Sequence, residues 1–113
     1  MRVLCYGGRD WQGDVNPVLS LLPGPFLIIN GGARGADTLC KEWGLARGWP
    51  VITMDAAWTA MGRRAGHVRN GWMLEHAQPT YAVAFPGGRG TADMTAQVRA
   101  AGITLWEPYS GAT

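Results

Sequence analysis

The sequence predicts an α/β domain, a five-stranded parallel sheet with helices on both faces. Three observations predict it. Short apolar runs alternate with longer segments of helical character along all 113 residues. Those runs, "RVLCY", "FLII", "PVITM", "TYAVAF" and "ITLW", are nearly bare of polar residues, as strands buried on both faces of a parallel sheet are. Three of the runs lead into a double glycine with an arginine close behind: "GGRDW" from Gly7, "GGARGAD" from Gly31 and "PGGRGTAD" from Pro86.

The elements follow in order. Residues 2–6 read as a buried strand that stops at Gly7-Gly8. Residues 14–22 have weak helical periodicity, with Pro17 tolerable in a first turn. "PGP" at 23–25 is a turn, and "FLII" at 26–29 is the second strand. A helix runs from 36 to 47 with Leu39, Trp43 and Ala46 on one face, stopped by Gly48. "PVITM" at 50–54 is the third strand, and residues 55–60 form a connection. The next helix spans 61–77, where Met61, Ala65, Val68, Trp72 and His76 fall at helical spacing. Gly66 and Gly71 each weaken it by about 1 kcal/mol relative to alanine. "TYAVAF" at 80–85 is the fourth strand, a helix spans 91–101, Gly102 caps it, and "ITLW" at 103–106 is the fifth strand. Residues 107–113 are expected to be a flexible tail. Right-handed crossovers between such strands give a Rossmann-like sheet of order 3-2-1-4-5.

The totals bound the function. The length predicts one domain over residues 1–113. Hydrophobic residues at 47% and charged residues at 16% exclude a disordered chain. No apolar run approaches a membrane span, and "MRVLCYGG" lacks the apolar region and cleavage site of a signal peptide. The expected location is the cytoplasm, bacterial or of the host of a phage, with no membrane partner. Cys5 and Cys40 are expected to be buried free thiols. No His/Cys cluster has zinc spacing, so neither metal nor cofactor is expected. The net charge of +2 is too small to argue for nucleic acid by itself.

The kind and placement of charge say more. Of ten basic residues only Lys41 is lysine. A GC-rich coding genome accounts for that bias but not for its placement. Arg9, Arg34 and Arg89 each lie in one glycine loop, and Arg63, Arg64 and Arg69 share one further segment. Guanidinium binds phosphate as a two-pronged donor. In the proposed order the three glycine loops follow neighbouring strands and meet where strand order reverses, which is where such sheets bind ligands. Glycine admits close approach of backbone N–H groups, and helix N-termini favour anions. One double glycine alone reads as a tight turn. Three at one edge read as a phosphate cradle built from Gly7, Gly8, Arg9 and Asp10, then Gly31, Gly32, Arg34, Gly35 and Asp37, then Gly87, Gly88, Arg89, Gly90 and Thr91, with Arg69 beside them. None of the loops has the dinucleotide or P-loop spacing.

Other roles are assigned more narrowly. Asp37 is expected to hold a ribose hydroxyl, and Asp10 offers the same after the first strand. Asp37 and Asp93 are placed in the first turns of their helices, where a carboxylate also complements the dipole. Thr91 is placed as an N-cap. Trp11 and Trp58, in loops, offer faces for a base to stack on. His67 and His76 receive no chemistry.

"GGRDW", "GGARGADTL", "AGHVRNGWML" and "FPGGRGTADM" occur in this order and cover most of the chain. Together they resemble the YspA-related family of the SLOG superfamily, which also contains the Lonely Guy (LOG) phosphoribohydrolases, the DNA-processing protein DprA and the nucleotide-sensing domains of some antiphage effectors. The resemblance implies a nucleotide or ADP-ribose-type ligand and a homodimer. LOG enzymes carry "PGGxGTxxE" with a catalytic glutamate; here Pro86, Gly87, Gly88, Gly90 and Thr91 are in place, but Met94 stands at the glutamate position. Asp93 lies one residue early, a rotation of about 100° on a helix. LOG enzymes also carry "RKxxM", which "RNGWM" matches with Arg69, Asn70 in place of lysine, and Met73. Ala57 and His67 stand where an acidic residue and a proline are common. The resemblance therefore implies a binding or sensing module. The alternatives are a LOG-like N-glycosidic hydrolase with Arg69 and Asp93 as its catalytic residues, and DprA-like binding of single-stranded nucleic acid, which the modest charge disfavours.

Overall fold

Strand β1 (Arg2–Tyr6) runs through the centre of the sheet, and its pleat decides the two layers around it. Val3 and Cys5 face one layer, Leu4 and Tyr6 the other, and all four are buried. The computed structural model describes residues 1–56 and 58–109, with the side chains of Trp58, Thr59 and Arg63 outside the description. Two parallel neighbours flank β1: β2 (Leu27–Asn30), in register Val3 to Ile28, and β4 (Tyr81–Ala84), in register Leu4 to Ala82. Outside them lie β3 (Val51–Thr53) and β5 (Thr104–Trp106), also parallel. The order is β3-β2-β1-β4-β5, as the sequence predicts.

Helices α1 (Asn16–Leu19) and α2 (Ala36–Ala46) cover one face. They bring Val18, Leu19, Cys40 and Trp43 onto Val3, Cys5, Ile28 and Val83. Phe26, Trp43 and Trp49 stack and edge-pack within this layer, so two of the tryptophans are core. The other face is covered through α3 (Trp58–Met61), a 3₁₀ turn (Gly62–Arg64), α4 (Ala65–Trp72), a π turn (Met73–Ala77) and α5 (Arg89–Ala100). Met73, Met94 and Val98 pack there on Leu4, Ile29 and Ala82. Cys5 and Cys40 are buried free thiols.

Three local expectations change. The helix expected over 61–77 is a series of segments: the 3₁₀ turn, where Gly62 takes a positive φ of 58°, then α4, then the π turn. Its buried residues are Ala65, Asn70 and Met73, whereas His76 is largely exposed. The segment ends on left-handed Gln78. The helix over 14–22 shrinks to Asn16–Leu19, with Pro17 in its first turn. The helix expected from 91 starts at Arg89, with Gly88 as N-cap and no side-chain cap. Thr91 is therefore not an N-cap, and Asp93 lies beyond the first turn. Of the segment 107–113, residues up to Tyr109 are described. Tyr109 packs on Trp11 with ring centres 5.7 Å apart and donates its hydroxyl to the Asp14 carbonyl at 2.9 Å.

The glycine loops differ in what the backbone demands of them. Gly35, the N-cap of α2, has φ 80°, and a Cβ there would meet the Gly8 carbonyl oxygen. Gly35→Ala is expected to destabilise the fold by about 1–3 kcal/mol. Gly90 is helical, and a Cβ there meets nothing within 4 Å. Gly90→Ala is expected to stabilise by about 0.5–1 kcal/mol. Denaturant unfolding of the two variants checks both signs.

Candidate functional site

The loops after β1, β2 and β4 meet at Gly8. Its N–H donates to the Pro86 carbonyl at 2.8 Å, and its carbonyl accepts from the Ala36 N–H at 3.2 Å. No Cβ fits between them. One added at Gly7 would lie 2.7 Å from the Ala36 Cβ, and one at Gly87 would lie 2.6 Å from the Gly8 nitrogen. The three loops thus share one corner at the carboxyl edge of the sheet.

Beside that corner opens a cavity of about 530 Å³. The β1 loop lends it Gly7, Gly8 and Arg9, and the β2 loop lends Ala33 and Asp37. Gly88, Arg89, Gly90, Thr91 and Asp93 come from the start of α5, and Gly66, His67, Arg69 and Asn70 come from α4. Tyr6, Met73 and Met94 add apolar surface. The remaining expected residues lie outside the lining. Asp10 and Arg34 form an exposed pair at 3.3 Å. Gly31, Gly32, Gly35 and Gly87 shape the loops that carry the lining residues.

Gly31 is clamped from two sides. Its N–H donates to Asp37 Oδ2 at 2.9 Å, and its carbonyl accepts from Arg69 Nη1. Arg69 also donates from Nε to Asn70 Oδ1 at 3.0 Å. Arg69 is thereby a brace between α4 and the β2 loop as well as a cavity residue. Burial pushes its guanidinium below its ordinary pKa, against the pull of Asp37. Burial pushes the Asp37 carboxyl up, and the Gly31 amide, Arg69 and the Ala33 and Gly7 amides oppose it. The Asp37 carboxylate thus organises loop backbone at the point where a ribose contact was expected.

Asp93 is joined to Arg69 through Asn70, which donates to the one and accepts from the other. Its Oδ1 lies 2.7 Å from His67 Nδ1, and its Oδ2 accepts from Asn70 Nδ2 and Gln97 Nε2, each at 2.9 Å. Burial acts to raise its pKa, but these hydrogen bonds together outweigh burial and hold the carboxyl below its ordinary value. Asp93 is therefore an ionised acceptor at neutral pH. Met94 is buried at 1% exposure, so the position that carries glutamate in LOG enzymes belongs to the core.

Trp11 packs on Phe85 with ring centres 4.9 Å apart and planes tilted by 36°, and is not part of the cavity lining. The Trp58 and Arg63 side chains, and Ala57, lie outside the described residues. Sequence reading missed His67. The signal available was spacing: His67 and Asn70 are i, i+3 on one helix, Asp93 and Gln97 are i, i+4 on another. Pairing the two helices takes the fold. Among the described residues no group of His, Cys, Asp and Glu is placed to hold a metal, and no helix is long and apolar enough to cross a membrane.

Comparison with known proteins agrees with the motifs. The model of the YspA, cpYpsA-related SLOG family matches residues 1–61, which carry the first two glycine loops and Asp37. The Gene 61 protein of Mycobacterium phage D29 is 34% identical over 118 residues, covering 92% of this chain and 93% of its own length. No solved structure matches the chain. With the family match over residues 1–61 of 113 and the phage relative spanning the remainder, the chain belongs to the YspA, cpYpsA-related SLOG family.

Proposed function

We propose that the cavity binds a nucleotide or nucleotide-derived ligand, with its phosphate against the first turn of α5. The observation that carries this reading is the pair Gly88 and Gly90. Gly48, Gly62 and Gly102 also have open space around them, but each has a positive φ that calls for glycine. Gly88 and Gly90 have neither a positive φ nor a neighbour within 4 Å of an added Cβ, and both line the cavity. Nothing in the fold requires glycine at Gly90, which is helical. A ligand lying against the bare backbone does. Arg89 and Arg9 at the same wall supply cationic donors, and the N–H groups that open α5 supply the dipole. The cavity volume falls in the range of small-molecule sites. Family membership supports the same ligand class, and the homodimer implied by resemblance belongs to this proposal.

Two variants test it. Gly90→Ala, expected to be more stable than wild type, is expected to bind nucleotide more weakly, because its methyl occupies ligand space. Arg89→Ala is expected to lose roughly ten- to a hundredfold in affinity, the usual worth of a charge-assisted contact, with little change in melting temperature. Arg69→Ala is a poorer probe, since it also releases the Gly31 carbonyl. Calorimetric titration of a nucleotide and ADP-ribose panel reads both effects, and unchanged affinity in Arg89→Ala and Gly90→Ala overturns the proposal.

A second reading, N-glycosidic hydrolysis, has one observation in its favour: the Asp93 carboxylate reaches the cavity wall. Against it stands Met94, a buried thioether that moves no proton. The expected outcome of long incubation with nucleoside monophosphates is recovery of intact nucleotide on chromatography. Base release that disappears in Asp93→Asn would establish the hydrolase instead, since a positioned acid/base group is worth roughly 10²–10⁴-fold in rate.

A further inference from the structure

The cavity has two chemically different ends. Arg9, Arg89 and the open glycines of α5 make one end a donor of hydrogen bonds and positive charge. The other end is built around Asp93 and His67. Arg89 and Asp93 are four residues apart on one helix, so their backbone positions are about 6 Å apart along its axis, at 1.5 Å per residue. That is the scale on which a 5′-phosphate stands away from the hydroxyls of its own ribose.

The hydrogen bonds around Asp93 decide what His67 offers a ligand. An ionised carboxylate only accepts. The shorter contact, 2.7 Å between Asp93 Oδ1 and His67 Nδ1, therefore puts the proton on Nδ1, and the Gln97 Nε2 approach to Nδ1 at 3.3 Å is then not a hydrogen bond. A neutral imidazole protonated at Nδ1 carries its lone pair on Nε2. Among the described residues Nε2 of His67 has no hydrogen-bond partner, and the side chain is 69% exposed at the cavity wall. Asn70 and Gln97 direct their amide donors at Asp93, so this end of the cavity turns acceptors outward: imidazole Nε2 and the free lone pair of Asp93 Oδ1. Adjacent acceptors suit a pair of hydroxyls, and they repel a phosphate.

We propose that His67, held in its Nδ1–H tautomer by Asp93, makes this site select a ribonucleotide over its deoxy counterpart by accepting a hydrogen bond from a ribose hydroxyl. The inference rests on the nucleotide reading above and moves the ribose contact from Asp37 to the α4–α5 wall. His67 touches the ligand, and Asp93 positions it.

The test is calorimetric titration with AMP, GMP, CMP and UMP and with the 2′-deoxy form of each, at about pH 8, above the range in which histidine ordinarily titrates. Wild-type protein is expected to bind at least one ribonucleotide about tenfold more tightly than its deoxy form, the effect of one well-made hydrogen bond to a polarised acceptor. In His67→Ala that ratio is expected to fall to about one while affinity for the deoxy form is retained. Asp93→Asn is expected to reduce the ratio as well, because an amide there no longer dictates the tautomer. The exposed position of His67 keeps the alanine variant folded, and its melting curve verifies that. Equal binding of ribo and deoxy forms by wild type, or a ratio untouched in His67→Ala, overturns the inference and leaves the nucleotide reading standing. Absence of binding by all eight nucleotides overturns the inference, and absence of binding by the ADP-ribose panel as well overturns the nucleotide reading with it. Consumption of a nucleotide at a rate that depends on His67 replaces the selective contact by a catalytic role.

Discussion

The peptide of Gly8 is the point on which the rest of this site depends. Its N–H reaches the loop after β4 and its carbonyl receives the first amide of α2, so one residue ties together segments that are distant in sequence. The tie is possible only because the sheet places β2, β1 and β4 side by side, with β1 in the middle. It holds only while residues 7, 8, 35 and 87 lack side chains, because each added Cβ would collide with backbone or with a neighbouring Cβ. The cavity is a consequence of this knot. Loops that cannot separate leave the space beside them open.

A second clamp acts on the other flank. Gly31 is held between Asp37 of α2 and Arg69 of α4, two helices on opposite faces of the sheet. Burial is costly for both ions, raising the pKa of the carboxyl and lowering that of the guanidinium, and the charge of each offsets part of the cost to the other. Buried charges of this kind are stabilising only when backbone donors and acceptors complete them, and here the amides of Gly31, Ala33 and Gly7 and the carbonyl of Gly31 do so. The same residues that look like ligand-binding charges in the sequence are thus partly engaged in holding the β2 loop in place. Arg89 and Arg9 also line the cavity.

The division of labour among glycines is physically informative. Glycine is unfavourable in a helix because it loses the most backbone freedom on folding. A glycine with no steric or conformational reason to be there marks a place where something outside the chain comes close. Gly90 meets that description, and Gly35 and Gly87, in the same motifs, do not. A motif such as "PGGRGTAD" therefore mixes a glycine that the fold requires with one that it does not.

Much of this was legible in the residues alone. Apolar runs without polar interruption predict a parallel sheet, because strands covered on both sides have no solvent face to make polar. The repeated double glycine predicts the convergence of three loops, because strand order follows from right-handed crossovers. Local detail near the site was not legible. The start of α5 at Arg89 and the breaks around Gly62 depend on helix ends that no side chain caps, so their positions are set by packing against the sheet. The contact of Tyr109 with Trp11 and Phe85, which come from distant parts of the chain, was not legible either. Above all, the meeting of His67 and Asn70 with Asp93 and Gln97 belongs to tertiary structure alone. Each pair sits at ordinary helical spacing, and only the packing of α4 against α5 turns two unremarkable helix faces into one hydrogen-bonded group at a cavity wall.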